Sequence, residues 1–138
     1  MNPETINKTA TTETTPGILI NCRERDFIED ILTRAKPYET RPSDTLRALV
    51  GKKHIALIQT RHRHARIIRG YVDIVGSEVI SYDNIEARKS AKIYGTSYDI
   101  KPGQTKIFYK LENVTPCDWI ILDQNRCINH GRSYTEYT

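Results

Sequence analysis

The chain has 138 residues, of which 38% are apolar and 28% are charged, a composition typical of one globular domain. Its longest uncharged apolar runs, such as residues 119–122, are far shorter than the roughly 20 residues that a helix needs to cross a bilayer. Lys and Arg number 21 against 17 Asp and Glu, for a formal net charge of +4. These figures exclude a membrane-spanning helix and a fibrous or wholly disordered chain, and they predict no membrane partner.

Residues 1–16 are rich in Thr, Glu and Asn and show no apolar periodicity, so we predict a disordered polar leader that ends at a Pro-Gly pair. The leader contains no apolar stretch of the length that a secretory signal needs. The three cysteines, Cys22, Cys117 and Cys127, are an odd number without Cys-x-x-Cys spacing. This pattern favours reduced thiols and a cytoplasmic location. Their spacing matches no common zinc site, and we expect no metal and no cofactor.

The first half of the ordered domain is predicted to alternate strands and helices. Residues 18–20 form a short apolar run typical of a buried strand. Apolar residues recur at helical spacing over residues 24–35, where a proline ends the pattern. A second helical turn is predicted over residues 43–49. Two strands follow at residues 54–60 and 66–75, joined as an antiparallel hairpin.

The second half is predicted to contain a helix and two more strands. Residues 83–94 have a helical pattern, and residues 105–114 alternate as a strand. A proline separates that strand from a last short one at residues 119–122, whose tryptophan we interpret as a core or barrel-closing residue. The ordered domain then covers residues 17–124, and the polar tail of residues 125–138 is expected to fray. The order of elements predicts an α+β fold with a curved or barrel-like sheet.

Residues 45–72 contain no Asp or Glu but seven Lys and Arg, which exceeds the net charge of the whole chain. Five of the seven are arginine, which suits bidentate contacts to phosphate. Four arginines of the predicted hairpin are candidate nucleic-acid contacts: Arg61, Arg63, Arg66 and Arg69. The alternative is an edge hairpin that its charge protects from aggregation. His62 and His64 in the turn are weak metal candidates, because the flanking cations repel a dication.

The segment after the first predicted helix carries three ionisable groups, Lys36, Glu39 and Arg41. If it is extended, Glu39 and Arg41 point to one face, and Tyr38 and Thr40 point to the other. The helix end would then bring Lys36 beside them and concentrate charge in a cleft next to the sheet. A plain Glu–Arg pair on a strand surface is the alternative that the spacing leaves open.

The pattern Lys-x-x-Glu-x-Arg at residues 36–41, preceded by the predicted helix from residue 28, resembles the mark of the ASCH domain family. Three more segments are similar to the barrel strands of that family: residues 51–57, 70–75 and 108–114. The resemblance covers residues 18–122. It implies a PUA-like, curved or closed mixed β-barrel with flanking helices, and a cleft lined by the Lys-x-x-Glu-x-Arg segment.

Members of the family are regarded as RNA- or nucleotide-binding modules, so RNA or a nucleotide is the partner that the resemblance implies. In such a cleft Lys36 and Arg41 would contact phosphate. Glu39 would accept a hydrogen bond from a base, and Tyr38 or Tyr71 would stack on one. The basic hairpin would extend the surface for an anionic ligand.

The alternative is a small hydrolase that uses the same cleft. Some ASCH-like proteins are amidohydrolases of acetylated cytidine, and ribonuclease activity is attributed to others. In the amidohydrolase branch the catalytic group is a Lys, a Thr three residues later and a Glu from a later helix, and residues 102–105 look like a loop of that branch. Lys36 matches the Lys, whereas Glu39 stands in place of the Thr and Glu86 is a loose counterpart of the later Glu.

If the protein is an enzyme, Lys36 and Glu39 are its candidate catalytic residues, one as acid or electrostatic stabiliser and the other as base. A third hypothesis is a protein-interaction domain that uses the exposed edge of the hairpin. The sequence alone does not decide whether the protein is catalytic.

Overall fold

The computed structural model describes residues 13–62, 65–83 and 102–138, with the side chains of Arg61 and His62 excepted. These residues form one α-helix, seven strands and two 3-10 turns. The helix and strands are β1 (Thr15–Asn21), α1 (Phe27–Leu32), β2 (Tyr38–Arg41), β3 (Ile55–His62), β4 (Ala65–Ser81), β5 (Thr105–Leu122), β6 (Cys127–His130) and β7 (Tyr134–Tyr137). The helix predicted at residues 83–94 lies, apart from its first residue, outside the described residues.

All seven strands belong to one mixed sheet, in the order β2-β5-β4-β3-β1-β7-β6. β1 runs parallel to β3, and every other neighbouring pair is antiparallel. The β-rich character that the sequence predicts is confirmed. The sheet is not closed into a barrel, because β2 and β6 are its two edges and do not pair with each other. Among the described residues, no helix is long and apolar enough to cross a membrane.

β1 is an interior strand between β3 and β7, and the strand predicted from its apolar run is confirmed. Ile18 and Ile20 pack into one apolar cluster, together with residues of α1, β3, β4 and β5. Leu19 points to the other face and joins a second cluster with Ile58, Ile68 and others. Both faces of β1 are therefore buried, which explains why its sequence is continuously apolar rather than alternating.

The two longest strands, β4 and β5, pair along most of their length. The sequence analysis separated residues 105–114 from 119–122 at Pro116, but both belong to β5. Pro116 lies opposite Gly70 next to an irregularity in the strand register. A bulge tolerates a proline because the local ladder is already interrupted there. A Cβ on Gly70 would lie 2.7 Å from the Thr115 carbonyl oxygen, so this close approach of the two backbones requires glycine.

The helix α1 is shorter than the predicted span of residues 24–35. It begins after Asp26, whose carboxylate accepts a hydrogen bond from a backbone N–H of the first turn. It ends before Arg34, which adopts a positive φ of 65°. Ile28 and Ile31 are the buried residues of the helix and attach it to the core.

The second predicted helical turn, over residues 43–49, is reduced to a 3-10 turn at Arg47–Leu49. The loop before it is held by Tyr109 of β5. The hydroxyl of Tyr109 donates to Asp44 Oδ1 at 2.7 Å and accepts from the backbone N–H of Leu46 at 3.1 Å. Tyr109 is fully buried, so this loop is fixed against the core rather than left in solvent.

The prediction that the polar tail of residues 125–138 frays is wrong. β6 and β7 form a hairpin, and β7 pairs with the interior strand β1. Thr135 and Tyr137 are buried, as every second residue of a half-buried strand is expected to be. At the other end, β1 begins at Thr15, inside the predicted leader of residues 1–16. Residues 1–12 of that leader lie outside the described part of the chain.

Candidate functional site

A cleft of about 750 Å³ opens where β1, β2 and α1 face β4 and the turn between β6 and β7. Its volume lies in the range of ligand pockets, which is roughly 300–1,000 Å³. The apolar part of the lining includes the half-buried Phe27 and the buried Leu19 and Ile20 of β1. The charged residues of the described lining are Lys36, Glu39, Arg41, Arg66, Lys106 and Arg132. The cleft thus combines an apolar wall with five cations and one carboxylate.

The Lys36, Glu39 and Arg41 side chains meet at the inner wall of the cleft. Lys36 Nζ donates to Glu39 Oε1 at 2.5 Å, and Arg41 Nη2 donates to Glu39 Oε2 at 2.9 Å. Arg41 Nη2 also donates to the backbone oxygen of Leu19 at 3.0 Å, which ties β2 to β1. Lys36 and Glu39 are only 6% and 5% exposed. The predicted meeting of these three residues in a cleft is confirmed, while their role towards a ligand stays a prediction.

Local structure explains how the three side chains converge. β2 is an edge strand paired with β5, and its alternation places Glu39 and Arg41 on the side of the cleft. Lys36 is positioned by its backbone N–H, which donates to the carbonyl of Asp30 in α1 at 2.9 Å. Its ammonium group lies 5.2 Å from the centre of the Phe27 ring, within cation–π distance.

The two tyrosines predicted to stack on a base do not line the cleft. Tyr38 points away from it and contacts the edge of Phe108, with 6.0 Å between ring centres. Tyr71 stacks on His54 with 4.1 Å between ring centres. For Tyr38 the reason is strand alternation, because it lies one residue from Glu39. The aromatic ring at the cleft is that of Phe27.

The charge state of Glu39 follows from its surroundings. Burial raises the pKa of this carboxyl group, but the positive charges of Lys36 and Arg41 outweigh burial and hold the pKa below its usual range. Glu39 is therefore a carboxylate at neutral pH, and both of its oxygens face cations. A carboxylate with a lowered pKa is a weak base, so this arrangement suits a counter-ion better than a general base.

The outer part of the cleft carries three more cations, which come from β4, β5 and the β6–β7 turn. Arg66 Nη1 donates to the side-chain oxygen of Asn129 at 2.8 Å. Lys106 and Arg132 also line this part. Sequence reasoning identified Arg66 but missed Lys106 and Arg132, and Arg132 belongs to the tail that was expected to fray. The alternation of polar and buried residues at 134–137 was the pattern that could have predicted an ordered hairpin there.

Arg69 does not belong to an exposed basic surface, and the prediction that it does is wrong. It is 4% exposed and donates to both carboxylate oxygens of Asp26, at 2.6 and 2.7 Å, and to Gln59 at 3.1 Å. Its guanidinium lies 4.8 Å from the centre of a Trp119 ring. These contacts compensate the buried charge of Arg69 within the protein.

The other cations of residues 45–72 are dispersed. Arg47 pairs with Asp44 at 3.7 Å, and the exposed Lys52 and Lys53 do not line the cleft. Arg63 lies outside the described residues, as do the side chain of Arg61 and the candidate Glu86. Of the four predicted hairpin arginines, the described structure places Arg66 at the cleft and Arg69 in the interior.

Among the described residues, no three His, Cys, Asp or Glu side chains are grouped so as to hold a metal ion. The side chains of His62 and His64 lie outside the described part of the chain. Cys22, Cys117 and Cys127 are free and half-buried. The cytoplasmic location inferred from them stays a prediction.

Neither a family model, nor a curated protein, nor a solved structure matches the chain. The resemblance to the ASCH family therefore stays a prediction from the segments quoted above.

Proposed function

We propose that the protein binds RNA or a nucleotide in the cleft, as an ASCH-like module related to PUA domains. The observation that carries the proposal is the charge of the lining, in which five cations surround one carboxylate. Glu39 compensates at most one of the two cations that it contacts. The cleft therefore keeps a positive potential, and an anionic ligand is the chemistry that complements it.

The apolar wall supports a nucleotide over a small inorganic anion. A cleft of about 750 Å³ is much larger than a phosphate ion needs. The half-buried Phe27 gives it an aromatic surface against which the flat, weakly polar face of a base can pack. Base–aromatic contact tolerates any base, because every base has a π face. A ligand with a phosphate and a base satisfies both parts of the lining.

The test is the binding of a fluorescently labelled single-stranded RNA, measured by anisotropy at several salt concentrations. We expect the affinity of the wild type to fall steeply with salt, as phosphate contacts require. Arg66→Gln should weaken binding about tenfold and lower the salt slope by about 1. Arg47→Gln is the matched control, because it removes the same charge from an exposed site outside the cleft. Failure of the wild type to bind RNA or any nucleotide would refute the proposal, as would equal effects of both variants.

Hydrolysis in the same cleft is the alternative, and the close contact between Lys36 and Glu39 is the observation in its favour. The lowered pKa of Glu39 argues against a base. Incubation with acetylated cytidine and with short RNA, followed by chromatography, separates the two functions. Turnover that disappears in Lys36→Ala would establish an enzyme, whereas intact ligand after long incubation supports binding alone.

A further inference from the structure

The charges of the cleft are unevenly compensated along its length. At the inner wall, Lys36 and Arg41 share the carboxylate of Glu39. At the outer end, Arg66 has a neutral partner, Asn129, which leaves its charge uncompensated. Arg132 has no hydrogen-bonding or charged partner within the described part of the chain. The uncompensated positive charge of these two arginines is therefore at the outer end of the cleft, where an anionic group of a ligand would bind.

Arg66 is held in place before a ligand arrives. Its Nη1 donates to Asn129 Oδ1 at 2.8 Å, and the same oxygen lies 3.0 Å from the hydroxyl of Thr135, which is fully buried. One nitrogen of the guanidinium is thus anchored to the β6–β7 hairpin. The remaining N–H groups of the fork are available for a planar, bidentate contact to an oxyanion.

The β6–β7 turn brings a second arginine to the same end of the cleft. Gly131 has a φ of 63°, a conformation that glycine adopts without strain, and Arg132 follows it directly. Both residues line the cleft. Arg132 is exposed, so its long side chain is free to adapt to a ligand that Arg66 has already oriented.

We propose that Arg66 and Arg132 together bind a phosphomonoester, the terminal phosphate of a free nucleotide or of an RNA end. This inference rests on the proposed function and specifies its ligand. A phosphomonoester carries nearly two negative charges at neutral pH and three terminal oxygens, which suits two arginine forks. An internal phosphodiester carries one charge, and a nucleoside carries none. The cleft should therefore discriminate against both.

The experiment compares ligands that differ only in the terminal phosphate. Four probes are titrated into the full chain by calorimetry: one short RNA with a 5′-phosphate, the same RNA with a 5′-hydroxyl, cytidine monophosphate and cytidine. For the wild type we expect the phosphate to increase affinity about tenfold or more in each pair. In Arg132→Gln and in Arg66→Gln this preference should fall to about threefold or less. Arg47→Gln, with the same change in charge, should retain it.

The outcomes separate this inference from the function on which it rests. If the phosphate increases the affinity of the wild type in neither pair, the inference is wrong but binding of RNA or a nucleotide stands. If none of the four probes binds, the proposed function itself fails. A phosphate preference that persists in Arg132→Gln would also overturn the inference. Arg132 is exposed, so circular dichroism should show that its variant is folded. Binding of cytidine monophosphate would identify a free nucleotide as sufficient, and binding of the phosphorylated RNA alone would identify an RNA end.

Discussion

Glu39 is the residue that holds the inner wall of the cleft together. One of its oxygens accepts from Lys36 and the other accepts from Arg41, and the carboxylate itself is almost completely buried. A buried pair of opposite charges contributes little net stability, since desolvation offsets most of the attraction. Removal of one partner is costly, because it leaves the other charges buried without compensation.

We therefore predict that Glu39→Gln lowers the free energy of unfolding by about 3–5 kcal/mol. The substitution keeps the shape of the side chain but leaves Lys36 and Arg41 without a counter-charge. Urea denaturation at pH 7 measures the effect. Glu112→Gln is the control, because its exposed ion pair with Lys110 at 3.6 Å should contribute less than about 1 kcal/mol. Equal effects of the two substitutions would show that the inner cluster is not coupled to folding.

At the scale of single residues, alternation was the most informative pattern in the sequence. It placed Glu39 and Arg41 on one face and Tyr38 on the other, as the structure does, but Thr40, predicted to point away with Tyr38, also lines the cleft. It did not reveal that Arg69 points inward. Arg69 forms its ion pair with Asp26, which precedes α1 and is distant from Arg69 in sequence. Only the folded chain brings these two charges together.

At the scale of elements, the β6–β7 hairpin has two tasks. It covers the edge of β1 that faces away from β3, and it supplies part of the cleft wall. Tyr137 of β7 packs into the cluster that contains Leu19 and Ile58. Ile128 of β6, in contrast, is 62% exposed. A comparison of substitutions at Tyr137 and Ile128 therefore tests whether the hairpin packs against the core.

Tyr137→Ala should lower the free energy of unfolding by about 3 kcal/mol, because it removes a large buried side chain. Ile128→Ala in the same hairpin should change it by less than about 0.5 kcal/mol. Thermal denaturation of the two variants measures the difference. In the wild type, hydrogen exchange should show protected amides in both strands of the hairpin. Similar stabilities of the two variants, or rapid exchange in the wild type, would mean that the hairpin is not docked.

The sequence did not predict the full lengths of β4 and β5, and the reason is physical. Gly76 and Pro116 are residues that usually end a strand, and both lie within or beside irregular stretches of the β4–β5 ladder. A local pattern indicates a break at such a residue, while pairing with a partner strand carries the chain through it. The tail was misjudged for the same reason, since its polar residues alternate with Thr135 and Tyr137, which become buried only against β1 and its neighbours.

At the scale of the whole molecule, acidic groups in separate regions are stabilised as carboxylates. For Asp26, burial raises the pKa but the hydrogen bond and charge of Arg69 outweigh it. For Asp73 the largest cause is a hydrogen bond from Asn113. For Glu136 it is the hydrogen bond with His130. Including the cleft, four groups have a lowered pKa: Asp26, Glu39, Asp73 and Glu136.

These directions predict acid sensitivity. A carboxyl group with a lower pKa in the folded state contributes stability that is fully present above its unfolded pKa, which is 3.8 for Asp and 4.5 for Glu. The contribution is lost as the pH falls through the folded pKa. We expect the free energy of unfolding to be nearly constant from about pH 7 to 5 and to fall steadily below that. Urea titrations across this range provide the measurement, and unchanged stability at the acidic end would contradict it.

The overall distribution of charge shows what a count along the chain misses. Residues 45–72 were expected to form one basic surface, but they cross from the 3-10 turn through β3 into β4, and successive side chains point in different directions. The cleft gathers its cations from segments far apart in sequence. Arg41, Arg66 and Arg132 illustrate this, since they belong to β2, β4 and the β6–β7 turn.

The position of β1 has a consequence for how the chain acquires its structure. β1 lies between β3 and β7, so residue 15 pairs with residue 137. While the polypeptide is being synthesised, the apolar residues of β1 emerge early, but one of their hydrogen-bonding edges has no partner until residues 134–137 have left the ribosome. Such long-range pairing slows folding and prolongs the exposure of an aggregation-prone strand. The nascent chain is therefore most vulnerable before β1 pairs with the hairpin that also completes the cleft.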